Sequence, residues 1–386
     1  MKREPKVLLV HPGIQHAPRL AEALEREGLL ASFWTGWAHT GGAGGKRSVA
    51  IPDEKLRTRP WVEWAALLLG RAGVDGERVW HWRNAVFQKL IPDSEIRKAK
   101  VVVGFDTAGW ILARRAKQAG KQFVLEQSIA HPAARAEELK LAGCGPEVWP
   151  EALLPRLPMV AQAEREEHQL ADRVVAASSF TRKTLVAHGV APEKIRVLPY
   201  GVAQEFLEAG QRRKGKGVGG KMRFLFLGHL SARKGLRQLL EAWKGVEKGE
   251  LVLMGGGDSE PWKQMAGANV YFPGGGNRAL VLEEMEKADV FVFPSLFEGF
   301  GLVLLEAMAA GLPVITTPNT GGPDVIEEGK EGFIVPAGSV GALREKMEWL
   351  IQNPSRAVEM GRQAHARASH FTWETYGQRY REEILG

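Results

Sequence analysis

The sequence has almost no cysteine and no long apolar segment. Its 386 residues contain one cysteine, Cys144, which excludes a disulfide framework and any zinc site built from paired cysteines. The apolar run at residues 7–10 is too short for a secretory signal, and the most apolar stretch, residues 101–113, is interrupted by Asp106 and two glycines. We therefore expect a soluble, cytoplasmic protein, and contact with a membrane surface stays open.

The composition is that of an ordinary globular protein. Hydrophobic residues make up 44% of the chain and charged residues 25%, with a formal net charge of +7. A chain of this length is expected to form two domains rather than one core. The positive charge is compatible with nucleic acid, an anionic membrane surface, or anionic small molecules such as nucleoside diphosphates. Composition alone does not choose among these partners.

Short apolar runs alternate with helical patterns in both halves of the chain. In the first half, strands are expected at residues 7–10, 101–104, 123–125, 173–176 and 195–198. In the second half, they are expected at residues 224–227, 251–254, 290–293, 314–316 and 332–335. This alternation predicts an α/β fold with two Rossmann-like, doubly wound domains that face each other across a cleft.

The domain boundary is predicted from a basic, glycine-rich stretch at residues 211–221. We assign residues 1–205 to an N-terminal domain, 206–222 to a linker and 223–365 to a C-terminal domain. Residues 366–386 are expected to form a C-terminal helix that packs back on the first domain. The linker contains a sequence like a phosphate-binding loop, with Gly215, Gly220 and Lys221, but Met222 stands where Ser or Thr should hold magnesium. We therefore interpret it as a linker only.

A tryptophan-rich, basic patch covers residues 55–90. It carries Trp61, Trp64, Trp80 and Trp82 among several arginines and lysines. The favoured interpretation is a helical excursion that buries these tryptophans in the domain core. The alternative is an acceptor surface or a membrane interface, where amphipathic aromatic and basic side chains are common.

The segment at residues 295–310 carries the most specific signal. A buried strand leads into a loop with Glu298, Gly299 and Gly301, and a helix with Glu306 in its first turns follows. The glycines allow a ligand to approach the backbone, and the helix start offers free N–H groups to an anion. Because the residues around Glu306 are apolar, this carboxylate should lie in a largely buried helix and need a partner. Two carboxylates that flank such a loop are suited to accept hydrogen bonds from sugar hydroxyls.

A second signal lies at residues 228–235, after the strand at 224–227. Arg233 and Lys234 should stand at the carboxyl end of the sheet, where doubly wound folds bind their ligands. Two adjacent cations near a helix start are suited to hold a diphosphate.

Together these segments resemble the family-four retaining glycosyltransferases of the GT-B fold (glycosyl transferases group 1). Residues 288–324 resemble the family's donor signature, in which a glutamate, seven residues and a second glutamate follow one another. Residues 228–235 resemble its diphosphate loop, and residues 178–202 resemble the end of its first domain.

The resemblance implies a role for each matching position in the second half. Glu298 would contact the donor sugar, Glu306 would hold the ribose hydroxyls, and Arg233 and Lys234 would neutralise the leaving diphosphate. The remaining donor contacts that it implies are the turn at Gly228, the backbone N–H groups of Phe300, Gly301 and Leu302, and a base-stacking segment at residues 271–274 represented by Phe272.

In the first half, the resemblance implies that Gly13 faces the phosphate and that His131 lies near the donor sugar. A turn-capping role for His131 is an equal alternative, and Glu126 is a neighbouring polar candidate. The expected activity is a retaining hexosyltransferase that uses a UDP-, GDP- or ADP-sugar and an unidentified acceptor, such as a lipid or a glycan. No Asp-x-Asp motif occurs, so we expect no metal and no other cofactor, because Arg233, Lys234 and a helix N-terminus can stabilise the diphosphate instead.

Three other classes of protein remain as alternatives. The first is a different enzyme of the same fold, such as a glycogen-type phosphorylase or a sugar-nucleotide epimerase. The second is a basic nucleic-acid-binding protein, although no known nucleic-acid-binding motif is present. The third is an NAD-dependent enzyme, for which Gly255-Gly256-Gly257 lacks the expected glycine spacing.

Overall fold

The computed structural model describes residues 7–13, 15–40, 47–213 and 220–385. Two parallel sheets organise the chain, one in each half, as the sequence predicts. The predicted α/β class with two doubly wound domains is confirmed. The ten predicted strands are all present, because parallel strands buried on both faces are continuous apolar runs that a sequence reveals directly.

The first half is built on a seven-stranded sheet with the order β5-β2-β1-β6-β7-β8-β9, and β3 and β4 form a separate pair. Its strands are β1 Val7–His11, β2 Leu30–Thr35, β3 His39–Thr40, β4 Ser48–Val49, β5 Leu56–Thr58, β6 Val101–Phe105, β7 Gln122–Gln127, β8 Arg173–Ala176 and β9 Ile195–Val197. Its helices are α1 Ala17–Arg26, α2 Pro60–Arg71, α3 Gly76–Lys89, α4 Asp93–Lys98, α5 Trp110–Gln118, α6 Arg135–Leu141, α7 Pro158–Leu170, α8 Ser179–Ala187 and α9 Gln204–Arg212.

The second half is built on a six-stranded sheet with the order β12-β11-β10-β13-β14-β15. Its strands are β10 Met222–Leu227, β11 Gly249–Met254, β12 Val270–Gly274, β13 Val290–Phe293, β14 Val314–Thr316 and β15 Gly332–Ile334. Its helices are α10 Leu236–Trp243, α11 Glu260–Lys263, α12 Arg278–Lys287, α13 Leu302–Ala309, α14 Gly322–Val325, α15 Val340–Gln352, α16 Pro354–Ala368 and α17 Trp373–Glu383.

Each sheet reverses its strand order once, and that point fixes where a ligand can enter. In the first sheet the reversal lies between β1 and β6, and in the second it lies between β10 and β13, where Phe224 pairs with Val290. The loops after the two central strands separate at such a point and leave a crevice. The loops after Leu227 and Phe293 therefore flank one crevice, and those after His11 and Phe105 flank the other.

The segment between the two sheets differs from the predicted linker. Residues 204–212 form α9, and Phe206, Leu207 and Ala209 are buried. These apolar residues follow a helical spacing that the basic composition of the following residues obscures. Gly215 of the loop-like sequence lies outside the described residues, and Met222 is the first residue of β10.

The end of the chain returns to the first half. Helix α17 packs along α1, and the Arg381 guanidinium lies within salt-bridge distance, 2.5 Å, of the Glu27 carboxylate. Before this helix, the Val202 N–H donates to the Phe371 carbonyl at 2.8 Å. A helix from the far end of the sequence therefore packs against the first half of the chain.

The favoured interpretation of the tryptophan-rich patch is wrong in one respect. The helical excursion exists, as α2 and α3, but Trp61, Trp64 and Trp80 are 52%, 61% and 48% exposed. The side of α2 that packs inward carries Val62 and Ala66. Trp61 and Trp64 therefore point outward, because one helix of this length buries one face only.

Candidate active site

The crevice of the second sheet holds the predicted diphosphate loop and the predicted donor loop side by side. The first follows β10 and forms a single 3₁₀ turn at Ala232–Lys234, and the second follows β13. The Leu296 N–H donates to the Arg233 carbonyl at 2.9 Å, so the two loops are joined through their backbones. Residues 63 positions apart in sequence therefore meet at one edge of the sheet.

Three of the predicted catalytic side chains contact one another here. The Oε2 atom of Glu298 accepts a hydrogen bond from the Arg233 guanidinium at 3.0 Å and another from the Lys234 ammonium. The Arg233 guanidinium also donates to the Phe297 carbonyl at 2.5 Å. Lys234 is buried, with its ammonium 4.8 Å from the centre of the Phe293 ring. The structure thus places two cations and one carboxylate in a protected cluster.

The charges in this cluster depend on one another. Burial alone would raise the pKa of Glu298, but Lys234 and Arg233 outweigh burial, and its pKa is lowered. Burial is also the largest influence on Lys234 and lowers its pKa, although Glu298 opposes that shift. Glu298 is therefore ionised at neutral pH, and it serves as the counter-ion of two cations that could otherwise hold an anionic ligand.

Gly301 shapes the loop between the two predicted glutamates. Its φ of +84° lies in the left-handed region, and a Cβ atom here would come within 2.6 Å of the Phe293 ring. Both features require glycine. Helix α13 begins directly afterwards, at Leu302, so its first N–H groups lie next to this loop.

Glu306 faces a cavity between the two halves of the chain. The cavity has a volume of about 290 Å³, and its wall includes Gln15, His16 and Arg19 from the first half and Arg278, Leu302 and Glu306 from the second. The Glu306 side chain is 21% exposed, and its carboxylate lies 3.9 Å from the Arg278 guanidinium. The predicted need for a partner is therefore met, at long range, by Arg278.

Burial sets the protonation of Glu306. It raises the pKa of this carboxyl to about 7, although Arg278 acts in the opposite direction. A raised folded-state pKa contributes stability at low pH that is lost as pH rises through the folded-state value. The charged form of Glu306 therefore makes the ligand-free protein less stable above about pH 7.

This predicts a pH-dependent effect of the Glu306→Gln substitution. Glutamine resembles the protonated acid, so the variant should exceed the wild type in free energy of unfolding only slightly near pH 5 and by clearly more near pH 8. Urea unfolding at both pH values measures the difference. If the difference in free energy of unfolding between the variant and the wild type is the same at both pH values, the raised pKa of Glu306 is contradicted.

The remaining predicted donor contacts have different surroundings. Phe300 is fully buried, with its ring 5.4 Å from Tyr200, and its carbonyl accepts from the Gly321 N–H at 2.8 Å. Gly228 follows β10, and its N–H donates to the Met254 carbonyl at 3.0 Å. Phe272 is half-buried on β12, the edge strand of the sheet. The Gly228 N–H is thus bonded within the fold, and contact of the Phe300 N–H or of the Gly228 turn with a donor stays a prediction.

The donor loop touches the first domain directly. A Cβ atom on Gly299 would lie 2.0 Å from the Ser128 carbonyl oxygen, so only glycine allows this approach. The Gly299 carbonyl accepts hydrogen bonds from the hydroxyls of Ser178 and Thr181, the latter at 2.9 Å. The two domains are therefore in contact at the donor loop itself.

Gly13 lies at the crevice of the first sheet. Its N–H donates to Nδ1 of His11 at 2.7 Å, and its carbonyl accepts from the Thr35 hydroxyl at 3.2 Å. Burial lowers the pKa of His11 to about 3, so this ring is neutral and accepts that hydrogen bond. The turn predicted to face a phosphate is thus held by side chains of β1 and β2.

His131 contacts its own turn and two neighbouring histidines, His168 and His188. Its Nδ1 accepts from the Ala133 N–H at 3.3 Å, which is the turn-capping role named as the alternative, and its ring stacks on His188 with centroids 4.6 Å apart. Burial, and then its two histidine neighbours, lower its pKa to about 3. The ring is neutral at pH 7 and keeps only Nε2 for a further hydrogen bond, so a catalytic role for His131 stays a prediction.

Sequence reasoning missed two features of the site. Arg278 is the first residue of α12, which follows β12. Like Arg233 and Lys234, it stands after the carboxyl end of a strand, where doubly wound folds bind their ligands. His16 and Glu126 form a buried pair at 3.1 Å beside Tyr200, whose ring centroid is 4.3 Å from that of His16. Glu126 was named only as a neighbouring candidate, because its partner is distant in sequence.

Two further features concern metals and membranes. Among the residues that the structure describes, no group of three or more His, Cys, Asp or Glu side chains is arranged to hold a metal ion. Within the same ranges, no helix is both long enough and apolar enough to cross a membrane.

Comparison with known proteins finds two family matches, which together span residues 128–367 apart from residues 207 and 208. Residues 209–367 match the family described as glycosyl transferases group 1, and residues 128–206 match glycosyltransferase family 4. The first match contains Arg233, Lys234, Glu298 and Glu306. The second contains Ser128, Ser178 and Thr181, the residues of the first domain that contact Gly299 of the donor loop.

Two curated relatives of this chain are also named as glycosyltransferases. The D-rhamnosyltransferase WbpZ of Pseudomonas aeruginosa is 34% identical over 212 residues, which cover 51% of this chain and 54% of that protein. The GDP-mannose-dependent alpha-(1-6)-phosphatidylinositol monomannoside mannosyltransferase of Mycolicibacterium smegmatis is 30% identical over 257 residues, covering 60% of this chain and 66% of that protein. This chain therefore spans between about half and two thirds of the length of these relatives.

A solved structure shows the same fold over the whole chain. Sucrose-phosphate synthase from Thermosynechococcus elongatus superimposes with a TM-score of 0.69, covering 99% of this chain and 100% of that one, at 19% identity. At this level of identity the likeness shows the architecture of the two domains and their cleft.

Proposed function

We propose that this chain, which belongs to the group 1 glycosyltransferases, transfers a hexosyl group from a nucleoside-diphosphate sugar to an acceptor hydroxyl, with retention of anomeric configuration and without a metal ion. One observation carries the proposal. Arg233 and Lys234 converge on Glu298 at the crevice of the second sheet, while Glu306 faces the cavity one helix turn beyond the donor loop.

The roles of these groups follow from their charge and position. The ribose hydroxyls donate to the Glu306 carboxylate, and the diphosphate lies against Arg233 and Lys234. The sugar lies between the diphosphate and the Glu298 carboxylate, which accepts from its hydroxyls. The N-terminus of α13 adds N–H donors beside the donor loop.

The transfer step then needs little covalent chemistry from the protein. The bond between the anomeric carbon and the β-phosphate oxygen breaks, and its electron pair leaves with the diphosphate. The acceptor oxygen bonds to the anomeric carbon on the same face, and its proton passes to the departing phosphate oxygen. Arg233 and Lys234 stabilise the charge that develops on the diphosphate, which is the role a metal ion would otherwise fill.

The name of a relative helps to rank the candidate donors and acceptors. The name of one relative gives GDP-mannose as donor and a phosphatidylinositol mannoside as acceptor. We therefore place a GDP-sugar first among the candidate donors and a lipid-linked glycan first among the acceptors, with UDP- and ADP-sugars as the other donors to test.

Thermal stability with single nucleotides tests the donor proposal. GDP, UDP, ADP and NAD are each added with EDTA and then with magnesium. A ligand at about a hundred times its Kd should add roughly 2.7 kcal/mol to stability, which a melting curve detects easily. We expect one diphosphate to shift the transition equally with and without magnesium. A shift with NAD alone, or one that needs magnesium, would contradict the proposal.

Product analysis separates this function from the alternatives of the same fold. With the preferred donor and an acceptor extract, proton NMR of the product should show the anomeric configuration of the donor. An inverted product would contradict retention. Epimerised donor without transfer would favour an epimerase, and phosphate-dependent cleavage of a glycan would favour a phosphorylase.

A further inference from the structure

The donor loop contributes two side chains to the core of the first domain. Leu296 and Phe297, which directly precede Glu298, are 1% and 0% exposed. Among the described residues, the other buried members of their apolar cluster all come from the first half of the chain, between Ala130 and Phe180. Loops at a binding crevice normally lie at the surface, so the burial of these two residues against the opposite domain is unusual.

Two aromatic rings of the first domain hold the ring of Phe297. The ring centroid of Phe180 lies 5.7 Å from that of Phe297, and the two rings meet edge to face at 85°. The ring centroid of Trp149 lies 5.9 Å from that of Phe297, with the planes tilted by 47°. Aromatic pairs at such distances favour tilted and edge-to-face arrangements. The direction of the Phe297 side chain is therefore set by the first domain.

Hydrogen bonds also fix the backbone of these two loop residues. The Leu296 carbonyl accepts from the Asn319 side-chain amide at 2.8 Å, and the same amide lies 3.4 Å from the Glu138 carboxylate of α6. The Phe297 carbonyl accepts from the Arg233 guanidinium at 2.5 Å. Both carbonyls are thus engaged, one of them by a side chain that also contacts the first domain.

The start of α8 contacts the residues on both sides of Glu298. Phe180, in the first turn of this helix, packs on the residue before Glu298. The hydroxyls of Ser178 and Thr181 donate to the carbonyl of Gly299, the residue after it. A residue whose two neighbours are both anchored has little freedom in its own backbone dihedral angles, so the direction of the Glu298 side chain depends on these contacts.

We propose that Phe180, Trp149 and Phe297 are positioning residues for Glu298, through which the first domain sets the direction of the carboxylate that meets the donor sugar. This positioning role rests on the proposed function, in which Glu298 contacts that sugar. Phe180 and Trp149 act through Phe297 and need no contact with the donor. A group that stabilises a developing charge must be fixed in advance, and a displacement of about 1 Å can lower a rate about a hundredfold.

Lys234 and Glu306 are held outside this apolar cluster. The Lys234 ammonium packs on Phe293 at the end of β13, and Glu306 lies on α13 beyond Gly301. The positioning role therefore predicts that two measurements separate: catalysis should depend on the ring of Phe180, whereas binding of the free diphosphate should not. A purely structural role predicts a loss of stability and no selective loss of catalysis.

Initial rates and calorimetry of Phe180→Leu test the proposal. We expect kcat to fall roughly tenfold to a hundredfold and the Kd of the diphosphate to stay within about twofold of the wild type. Thr181→Val removes one hydrogen bond to the Gly299 carbonyl and keeps the shape of the side chain, so it serves if Phe180→Leu does not fold. For this variant we expect kcat to fall about threefold to tenfold, with the same unchanged Kd.

A double-mutant cycle with Glu298→Gln separates positioning from support of the fold. If Phe180 acts through the Glu298 carboxylate, Phe180→Leu should lower kcat no further once that carboxylate is absent. A structural role would lower kcat by the same factor in both backgrounds, and that result would overturn the proposal. So would a Phe180→Leu variant whose kcat equals that of the wild type.

The matched control is Phe333→Leu in the second domain. Phe333 is 7% exposed, and its ring meets that of Trp349 edge to face, at 5.3 Å and 86°. This variant should lose stability like Phe180→Leu, which melting curves measure, and keep its kcat. An equal fall in kcat in both phenylalanine variants would contradict the positioning role. If Glu298→Gln itself keeps a normal kcat, the proposed function fails; if only Phe180→Leu and Thr181→Val keep it, the positioning role alone fails.

Discussion

The Glu298→Gln variant is expected to lose about a thousandfold in kcat while it keeps its affinity for the nucleoside diphosphate. The physical reason is the position of the carboxylate. In the ligand-free protein, Glu298 neutralises Arg233 and Lys234. In the proposed donor complex, the diphosphate would take that role, and the carboxylate would stabilise the positive charge that develops on the sugar as the bond breaks. Glutamine keeps the shape and removes that charge.

Affinity for the diphosphate alone should stay the same or increase in this variant. The two cations would no longer be paired with a carboxylate, so they are free to attract the ligand more strongly. Initial rates give kcat, and calorimetry gives Kd. The matched control is Glu345→Gln, an acid whose side chain is 70% exposed, and it should change neither quantity. A Glu298→Gln variant with normal kcat and weakened diphosphate binding would contradict the assigned role.

Replacing Lys234 by methionine should have the second largest effect. This ammonium is buried, and burial lowers its pKa although Glu298 opposes the shift. Methionine fills similar space and removes the charge. We expect kcat/KM to fall roughly a hundredfold to a thousandfold, because stabilisation of the leaving diphosphate is lost. Arg233→Met should behave alike, and the double variant should lose less than the product of the two effects, since both cations act on one group.

The comparison of two ligands makes this prediction specific. Lys234→Met should lower the affinity for the diphosphate roughly tenfold to a hundredfold and leave the affinity for the free nucleoside unchanged. Lys263→Met is the control, because Lys263 is 46% exposed and forms a surface ion pair with Glu260. Equal weakening of nucleoside and diphosphate binding would mean that Lys234 maintains the fold of the site rather than contacting phosphate.

Local patterns in the sequence were sufficient to place the proposed site segments that lie next to central strands. Strand β13 is a buried apolar run, Gly301 allows the left-handed turn after it, and α13 begins at the following residue. Lys234 was found because the carboxyl end of β10 is where this topology binds ligands. Each inference uses residues within one strand–loop–helix unit, where chemistry and geometry are closely linked.

Contacts between distant segments could not be predicted in this way. The approach of Gly299 to Ser128 joins the two domains, and the pairing of His16 with Glu126 joins two strand ends. No periodicity within one segment encodes such distances. The outward direction of Trp64 was also missed, because an apolar side chain on a helix indicates burial only when a partner surface exists.

Calorimetric titration of the wild type and of Glu306→Ala with the nucleoside diphosphate chosen by the melting curves, in EDTA, tests the central claim most directly. We expect the wild type to bind the diphosphate without metal and Glu306→Ala to bind it roughly tenfold to a hundredfold more weakly, because the ribose hydroxyls lose a charged acceptor. Equal affinity in the two proteins, or no binding until magnesium is added, would contradict it.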